Sequence, residues 1–120
     1  MADFEMLPLI QDIWQKRVIG VGIYQVSSRV DFGEFRIEIF VNFGISKPNV
    51  GTQTMDVLGR AHVPPLFFDI VGAQLSKIVG TSDYVEVHFS NGCVITCDSQ
   101  MPGEQLVVTF ERSGGVEVLL

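Results

Sequence analysis

Two short runs rich in β-branched and aromatic residues, 84–89 and 93–97, flank the tripeptide Ser90-Asn91-Gly92. This pattern predicts a β-hairpin, for which two common turns are compatible. A two-residue Asn-Gly turn would place four side chains of metal-binding type on one strand face: Glu86, His88, Cys93 and Cys97. A three-residue loop that ends with Gly92 in the left-handed conformation would turn the histidine away from the cysteines.

The buried face decides between the two registers, because a slip of one residue moves every side chain to the other face. The three-residue loop pairs Phe89 with Cys93 and Val87 with Ile95. These pairs make one continuous apolar face, since a free cysteine packs as a small hydrophobe. Burial of one more aliphatic side chain contributes about 1.5–3 kcal/mol, which exceeds the difference between turn types. We therefore predict the three-residue loop, buried thiols, an outward-facing His88 and no metal site.

The remaining sequence predicts an α+β fold, with a mostly antiparallel β-sheet or split barrel and two short helices. Residues 35–43 alternate between apolar and polar side chains, which indicates a half-buried strand. Further strands are predicted at 18–26, 53–58, 75–79, 106–111 and 116–119, helices at 8–16 and 66–71, and loops at 27–33, 44–51 and 100–103. The expected core contains Ile13, Trp14, Ile37, Ile39, Val41, Ile70, Val85, Val87, Phe89, Ile95, Val108 and Phe110.

The two halves of the chain resemble each other. Residues 8–14 align with 65–71, and residues 36–39 align with 84–87, while Gly44 aligns with Gly92. This predicts a single domain over residues 1–120 that contains pseudo-repeat halves 1–60 and 61–120. Because the matching segments are short, chance similarity is the alternative.

Charge and hydropathy exclude several classes of function. Fourteen acidic residues oppose eight basic ones, giving a net charge of −6, and the bases are scattered. Nucleic acids and anionic membranes need a cationic stripe, so neither is an expected partner. The first residues are acidic where a signal peptide is basic, and no apolar run reaches the length that spans a bilayer. Free cysteines fit a reducing compartment, so we expect a soluble protein in the cytoplasm.

Catalytic patterns are weak. His62 and His88 have no nucleophile signature nearby in the sequence, and the glycines do not form a phosphate-binding loop. Glu38 and Glu86 occupy equivalent outward positions, where solvation is the expected role. Phe40 lies on the polar side of its strand, which indicates either a contact patch or cover by a helix, and we expect the helix. The chain is therefore predicted not to be an enzyme, and no cofactor is expected.

Residues 69–80 carry the end of the second predicted helix and the pattern φ-Gly-x-x-φ-x-x-φ, where φ is an apolar residue, and residues 85–95 carry a strand, the tetrapeptide Phe-Ser-Asn-Gly and a second strand. This pattern resembles small bacterial immunity proteins of polymorphic and contact-dependent growth inhibition toxin systems. The resemblance implies a cytoplasmic inhibitor that binds a cognate toxin domain, often a basic nuclease, and it transfers no residue. An acidic surface would steer such a partner. The loop acids expected to contact it are Asp31, Glu34, Asp98 and Glu104.

Two other classes of function stay open. One is a small-ligand-binding or enzymatic β-rich domain with a cavity between sheet and helices. The other is a structural or oligomerisation module, such as a homodimer that pairs through outward apolar residues like Phe40 or Leu119.

Overall fold

The computed structural model describes residues 4–5, 16–24, 27–33, 35–56, 63–80, 85–97, 106–110 and 116–119, and it describes side chains for the residues from 16 to 79 and from 85 to 97 within these ranges. Its strands are β1 (Phe4–Glu5), β2 (Gly20–Ile23), β3 (Ser28–Asp31), β4 (Phe35–Ile39), β5 (Phe43–Lys47), β6 (Gly51–Met55), β7 (Leu75–Gly80), β8 (Val85–Phe89), β9 (Val94–Cys97), β10 (Leu106–Phe110) and β11 (Val116–Leu119). The helix in this part of the chain is α1 (Pro65–Asp69).

These strands form two sheets in which all neighbours are antiparallel. The first sheet has six strands in the order β1-β7-β8-β9-β5-β6, and the second has five in the order β11-β10-β4-β3-β2. The prediction of a mostly antiparallel β fold is confirmed. Residues 8–15 of the predicted first helix lie outside the described residues, and Lys16 is not helical, since its carbonyl accepts a hydrogen bond from the Leu75 amide. No helix in the described ranges is long and apolar enough to cross a membrane.

The prediction of one strand over residues 35–43 is wrong. β4 ends at Ile39 in the second sheet, and after three residues β5 begins at Phe43 in the first sheet. The predicted loops over 27–33 and 44–51 are also wrong in part, because they contain β3 and most of β5. Both strands have polar or glycine residues on their outer side, so their composition resembles that of a loop although every second residue is buried.

The core is one cluster that receives side chains from both sheets and from α1. Helix α1 begins at Pro65, where the missing amide proton of proline costs nothing. Its buried face includes Phe67, whose ring lies 5.6 Å from that of Phe43. The predicted core residues that are confirmed as buried are Ile37, Ile39, Ile70, Val85, Val87, Phe89 and Ile95. Val41 is only partly buried, and the side chains of Ile13, Trp14, Val108 and Phe110 lie outside those described.

The β8–β9 hairpin has the predicted three-residue loop. Val87 pairs with Ile95 and Val85 with Cys97. The Phe89 amide donates a hydrogen bond to the Cys93 carbonyl at 2.9 Å, and Gly92 has a φ of 90°. The buried face therefore decided the register, as expected from the free energy of apolar burial.

The predicted match of Gly44 with Gly92 joins residues in different positions. Gly44 lies inside β5, whereas Gly92 is the left-handed residue of a turn. Residues 8–14, which would match α1 in the other half, lie outside the described residues.

Candidate partner-binding site

The outer side of β3 and β4, which faces away from the core, carries a cluster of charged side chains. Arg29 pairs with Glu38 across these strands, and Asp31 pairs with Arg36. Arg29 Nη2 lies 3.4 Å from Glu38 Oε1, and Arg36 Nε lies 3.6 Å from the same oxygen. The Ser27 hydroxyl donates a hydrogen bond to Glu38 Oε2 at 3.2 Å. The expectation of a solvated Glu38 is therefore wrong, since three side chains hold its carboxylate.

Tyr24 packs beside this cluster. The Arg29 guanidinium carbon lies 4.3 Å from the centre of the Tyr24 ring, within the distance for a cation–π contact. Gly22 pairs with Arg29 across β2 and β3, and the Tyr24 ring lies over the backbone of Gly22. Tyr24 is 46% exposed, so the stacked ring also presents a large surface to solvent.

Phe40 lies at the same end of the second sheet as Tyr24. Ile23, Ser28 and Ile39 lie side by side on three neighbouring strands. Tyr24 directly follows Ile23, and Phe40 directly follows Ile39. Phe40 is 40% exposed. The expectation that a helix covers it is wrong for the described helix, because α1 packs against the first sheet, where the Leu66 amide donates a hydrogen bond to Gln53 Oε1. We call this surface the aromatic–ion-pair face; its members are Tyr24, Ser27, Arg29, Arg36, Glu38 and Phe40.

Asp31 is the one predicted partner-binding residue that the structure places. It ends β3 on the outer side of the sheet, and its Oδ1 accepts a hydrogen bond from the Gly33 amide at 2.8 Å. It therefore borders the aromatic–ion-pair face. Glu34, Asp98 and Glu104 lie outside the described residues.

The acidic residues are unevenly distributed along the chain. Nine of the fourteen acids, but only two of the eight bases, lie outside the described side chains. The described side chains comprise five acids and six bases, namely Asp31, Glu38, Asp56, Asp69 and Glu86 with Lys16, Arg17, Arg29, Arg36, Lys47 and Lys77. The net charge of −6 therefore comes from the other segments, and the described surface is close to neutral.

The outer side of the first sheet carries a contact between a histidine and a glutamate. His88 Nε2 lies 3.0 Å from Glu86 Oε1, and both side chains are partly exposed. Their cross-strand partners on β9 are Val94 and Thr96. The imidazole therefore faces outward, as the three-residue loop requires.

The two thiols lie on the buried side of the same hairpin. Cys93 and Cys97 are free and have no exposed surface. Burial raises the pKa of the Cys97 thiol to about 12, and burial is also the main cause of the raised pKa of Cys93. In the described ranges, no group of three or more His, Cys, Asp or Glu side chains could hold a metal ion.

No family model matches this chain, and neither the curated proteins nor the solved structures contain a match. The aromatic–ion-pair face combines exposed aromatic rings with arginines held by a carboxylate. Tyrosine and arginine are enriched among the residues that carry most of the free energy in protein–protein contacts. The chemistry of this face therefore suits the binding of another protein.

Proposed function

We propose that this protein is an immunity-type inhibitor, which binds a cognate toxin domain and blocks it without catalysis of its own. The observation that carries the proposal is the exposure of Tyr24 and Phe40 around the Arg29–Glu38 ion pair on one sheet face. The sequence pattern of residues 69–95 resembles such inhibitors and supports the same conclusion.

A protein partner suits the aromatic–ion-pair face better than a small molecule does. The face lies on the outer side of a sheet, and its rings are about half exposed. Rigid aromatic side chains bury a large area on binding and lose little conformational entropy. In this proposal, the rings of Tyr24 and Phe40 enter the partner surface, and the ion pairs lie between them.

The acidic residues have a different role in this proposal. The segments outside the described side chains carry nine acids and two bases, including Glu34, Asp98 and Glu104. Together with Asp31, these acids would attract a basic toxin domain over a distance and raise the association rate constant kon. The aromatic contacts form only after docking, so they would lower the dissociation rate constant koff.

The proposed location is the cytoplasm, because both thiols are buried and free, which is typical of reducing compartments.

The proposed scaffold is a split barrel. The two sheets are joined by residues 40–42, and also by the segment that begins at Lys16. There the Lys16 carbonyl bonds to Leu75 of the first sheet, and the Ile19 amide donates to Asp31 of the second. Two such joints would keep the aromatic–ion-pair face rigid.

The test is binding to the product of the neighbouring gene, used as a toxin domain inactivated by mutation. We expect tight binding to the wild type, and we expect Tyr24→Ala and Phe40→Ala each to raise Kd about tenfold or more, mainly through koff. Phe68→Ala is the matched control, because Phe68 is an aromatic residue of α1 with 52% exposure that lies away from the face. Its Kd should equal that of the wild type.

A second arm tests the acids. The combined variant Asp31→Asn, Glu34→Gln, Asp98→Asn and Glu104→Gln should lower kon and weaken the dependence of kon on salt, with koff nearly unchanged. Absence of binding by the wild type, or equal effects of Phe40→Ala and Phe68→Ala, would contradict the proposal.

The same exposed rings favour one competing function, a homodimer that pairs through this face. Sedimentation of the wild type and of Phe40→Asp separates the two functions. A concentration-dependent dimer that the substitution converts to a monomer would favour the oligomerisation module, whereas a wild-type monomer agrees with the inhibitor.

A further inference from the structure

We infer that Gly22 is a positioning residue of the aromatic–ion-pair face, and that it acts through Tyr24. The inference rests on the proposed function and deepens it, because it assigns how the face is held ready for a protein partner. It depends on one close approach, between the Gly22 backbone and the Tyr24 ring.

The space above Gly22 is filled by that ring. A Cβ atom at Gly22 would lie 2.8 Å from Tyr24 Cε2, 3.1 Å from its Oη and 3.2 Å from its Cζ. Any larger residue at this position therefore forces the ring to move. Gly20 lies two residues earlier on the same side of β2, and a Cβ atom there would meet nothing within 4 Å. Within β2, Gly20 therefore serves as the control for Gly22, because a side chain there meets no ring.

The position of the ring determines the environment of Arg29. Arg29 is the cross-strand partner of Gly22, and its guanidinium stacks on Tyr24 while it pairs with Glu38. Arg29 Nε is buried and has no hydrogen-bond partner in the described part of the chain. The Tyr24 ring and the Glu38 carboxylate both contact the guanidinium. A displaced ring removes one of these contacts.

An aromatic side chain that covers a glycine on an edge strand is a known way to order both residues. Here the contact with the Gly22 backbone holds the Tyr24 ring in one orientation before a partner arrives. Preorganisation of this kind lowers the entropic cost of binding, because fewer rotamers have to be frozen on association. Gly22 therefore contributes to affinity although it offers the partner no side chain.

The first experiment needs no partner. In the wild type, the Tyr24 ring current should shift the proton resonances of the Arg29 side chain upfield, as measured by NMR. We expect Gly22→Ala to lose this shift, as Tyr24→Ala does, and Gly20→Ala to keep it. A retained shift in Gly22→Ala would show that the ring stays in place and would overturn the inference.

The second experiment measures binding to the inactivated product of the neighbouring gene. Gly22→Ala should raise Kd by a few fold to about tenfold, mainly through koff, and Gly20→Ala should leave Kd unchanged. The double variant Gly22→Ala/Tyr24→Ala contains no clash, so it should fold and bind as Tyr24→Ala alone does. An additive loss in the double variant would show that Gly22 acts by another route and would overturn the inference.

The outcomes separate this inference from the function on which it rests. If Tyr24→Ala leaves Kd unchanged, both fail, because the ring is then no part of a binding site. If Tyr24→Ala weakens binding and Gly22→Ala does not, the partner-binding face stands and only the role of Gly22 is overturned.

Discussion

Ser28 lies directly opposite Ile39 across β3 and β4, and its side chain is completely buried. The Ser28 hydroxyl has no hydrogen-bond partner in the described part of the chain. A buried polar group without a partner costs about 1–3 kcal/mol. Ser28→Ala should therefore raise the free energy of unfolding, by about 1 kcal/mol, as measured by urea denaturation.

The neighbouring serine is the control for this prediction. The Ser27 hydroxyl donates to Glu38, so Ser27→Ala loses a hydrogen bond to a charged group. It should lower the free energy of unfolding by about 1 kcal/mol or more. A destabilised Ser28→Ala would mean that its hydroxyl has a partner after all.

Glu38 Oε1 lies close to two arginines, so its charge should matter for stability. The side chains of Arg29, Arg36 and Glu38 are 28%, 29% and 18% exposed, which leaves them partly desolvated. Glu38→Gln should lower the free energy of unfolding by about 1–3 kcal/mol, because the charge of a partly buried carboxylate close to two guanidinium groups is removed. Glu86→Gln is the matched variant on the first sheet; the Glu86 side chain is 31% exposed, against 18% for Glu38, so the loss should stay below about 1 kcal/mol. Equal losses would contradict this reading of the cluster.

Gly92 is required by the hairpin turn for two reasons. Its φ of 90° is unfavourable for any residue with a Cβ, and a Cβ there would lie 3.2 Å from Pro48 Cδ. Gly72 has a similar φ of 91° in open space. Gly72→Ala should cost about 1 kcal/mol and Gly92→Ala clearly more, both measured by chemical denaturation. Equal costs would show that Pro48 moves freely aside.

The buried thiol of Cys97 makes stability depend on alkaline pH. Burial raises its pKa from 9.0 to about 12. The unfolded chain releases this proton near pH 9, and the folded chain keeps it up to about pH 12. The folded state therefore binds more protons within this window, so the contribution of the thiol to stability is complete below it and is lost as pH rises through it.

The measurement is urea unfolding at about pH 7 and about pH 10.5. The wild type should lose up to about 1.4 kcal/mol per pH unit through this thiol above its ordinary pKa. Cys97→Ala should show a shallower decline, and the part that remains includes Cys93, whose pKa is also raised. Equal slopes in both proteins would contradict a protonated, buried Cys97.

Local patterns in the sequence were sufficient for some elements. The turn residues Ser90-Asn91-Gly92 allow two registers of β8 with β9, and the continuous apolar face correctly predicts the observed one. The bounds of β11 also agree with the predicted strand over 116–119. In both cases the decisive contacts join residues close in sequence, so composition and spacing contain the information.

Elements that depend on contacts between distant residues do not follow from local sequence patterns. The alternation of residues 35–43 does not reveal that the chain changes sheets after Ile39, since both strands bury every second residue. The polar residues Arg29 and Asp31 favour a loop in the sequence, although β4 places an oppositely charged residue, Glu38 or Arg36, directly opposite each of them. Pairing between strands supplies this information, and a single sequence does not contain it.

The candidate site shows the same limit. The sequence predicted that Phe40 lies on the polar side of its strand, and it assigned the wrong cover. Asp31 was predicted as a partner contact, but Tyr24, Arg29 and Glu38 were not assigned to a common face. Their association depends on the register of three strands, which brings Gly22 opposite Arg29 and Arg29 opposite Glu38.

The passage of the chain from one sheet to the other after Ile39 affects how the protein is made. β4 obtains its second neighbour only from β10, and β5 only from β9. Until β9 and β10 leave the ribosome, β5 and β4 each have one unpaired edge. Unpaired strand edges make nascent chains prone to aggregate. Pairings so distant in sequence also fold slowly. The first sheet therefore cannot close before β9 has left the ribosome, and the second cannot close before β10 has done so.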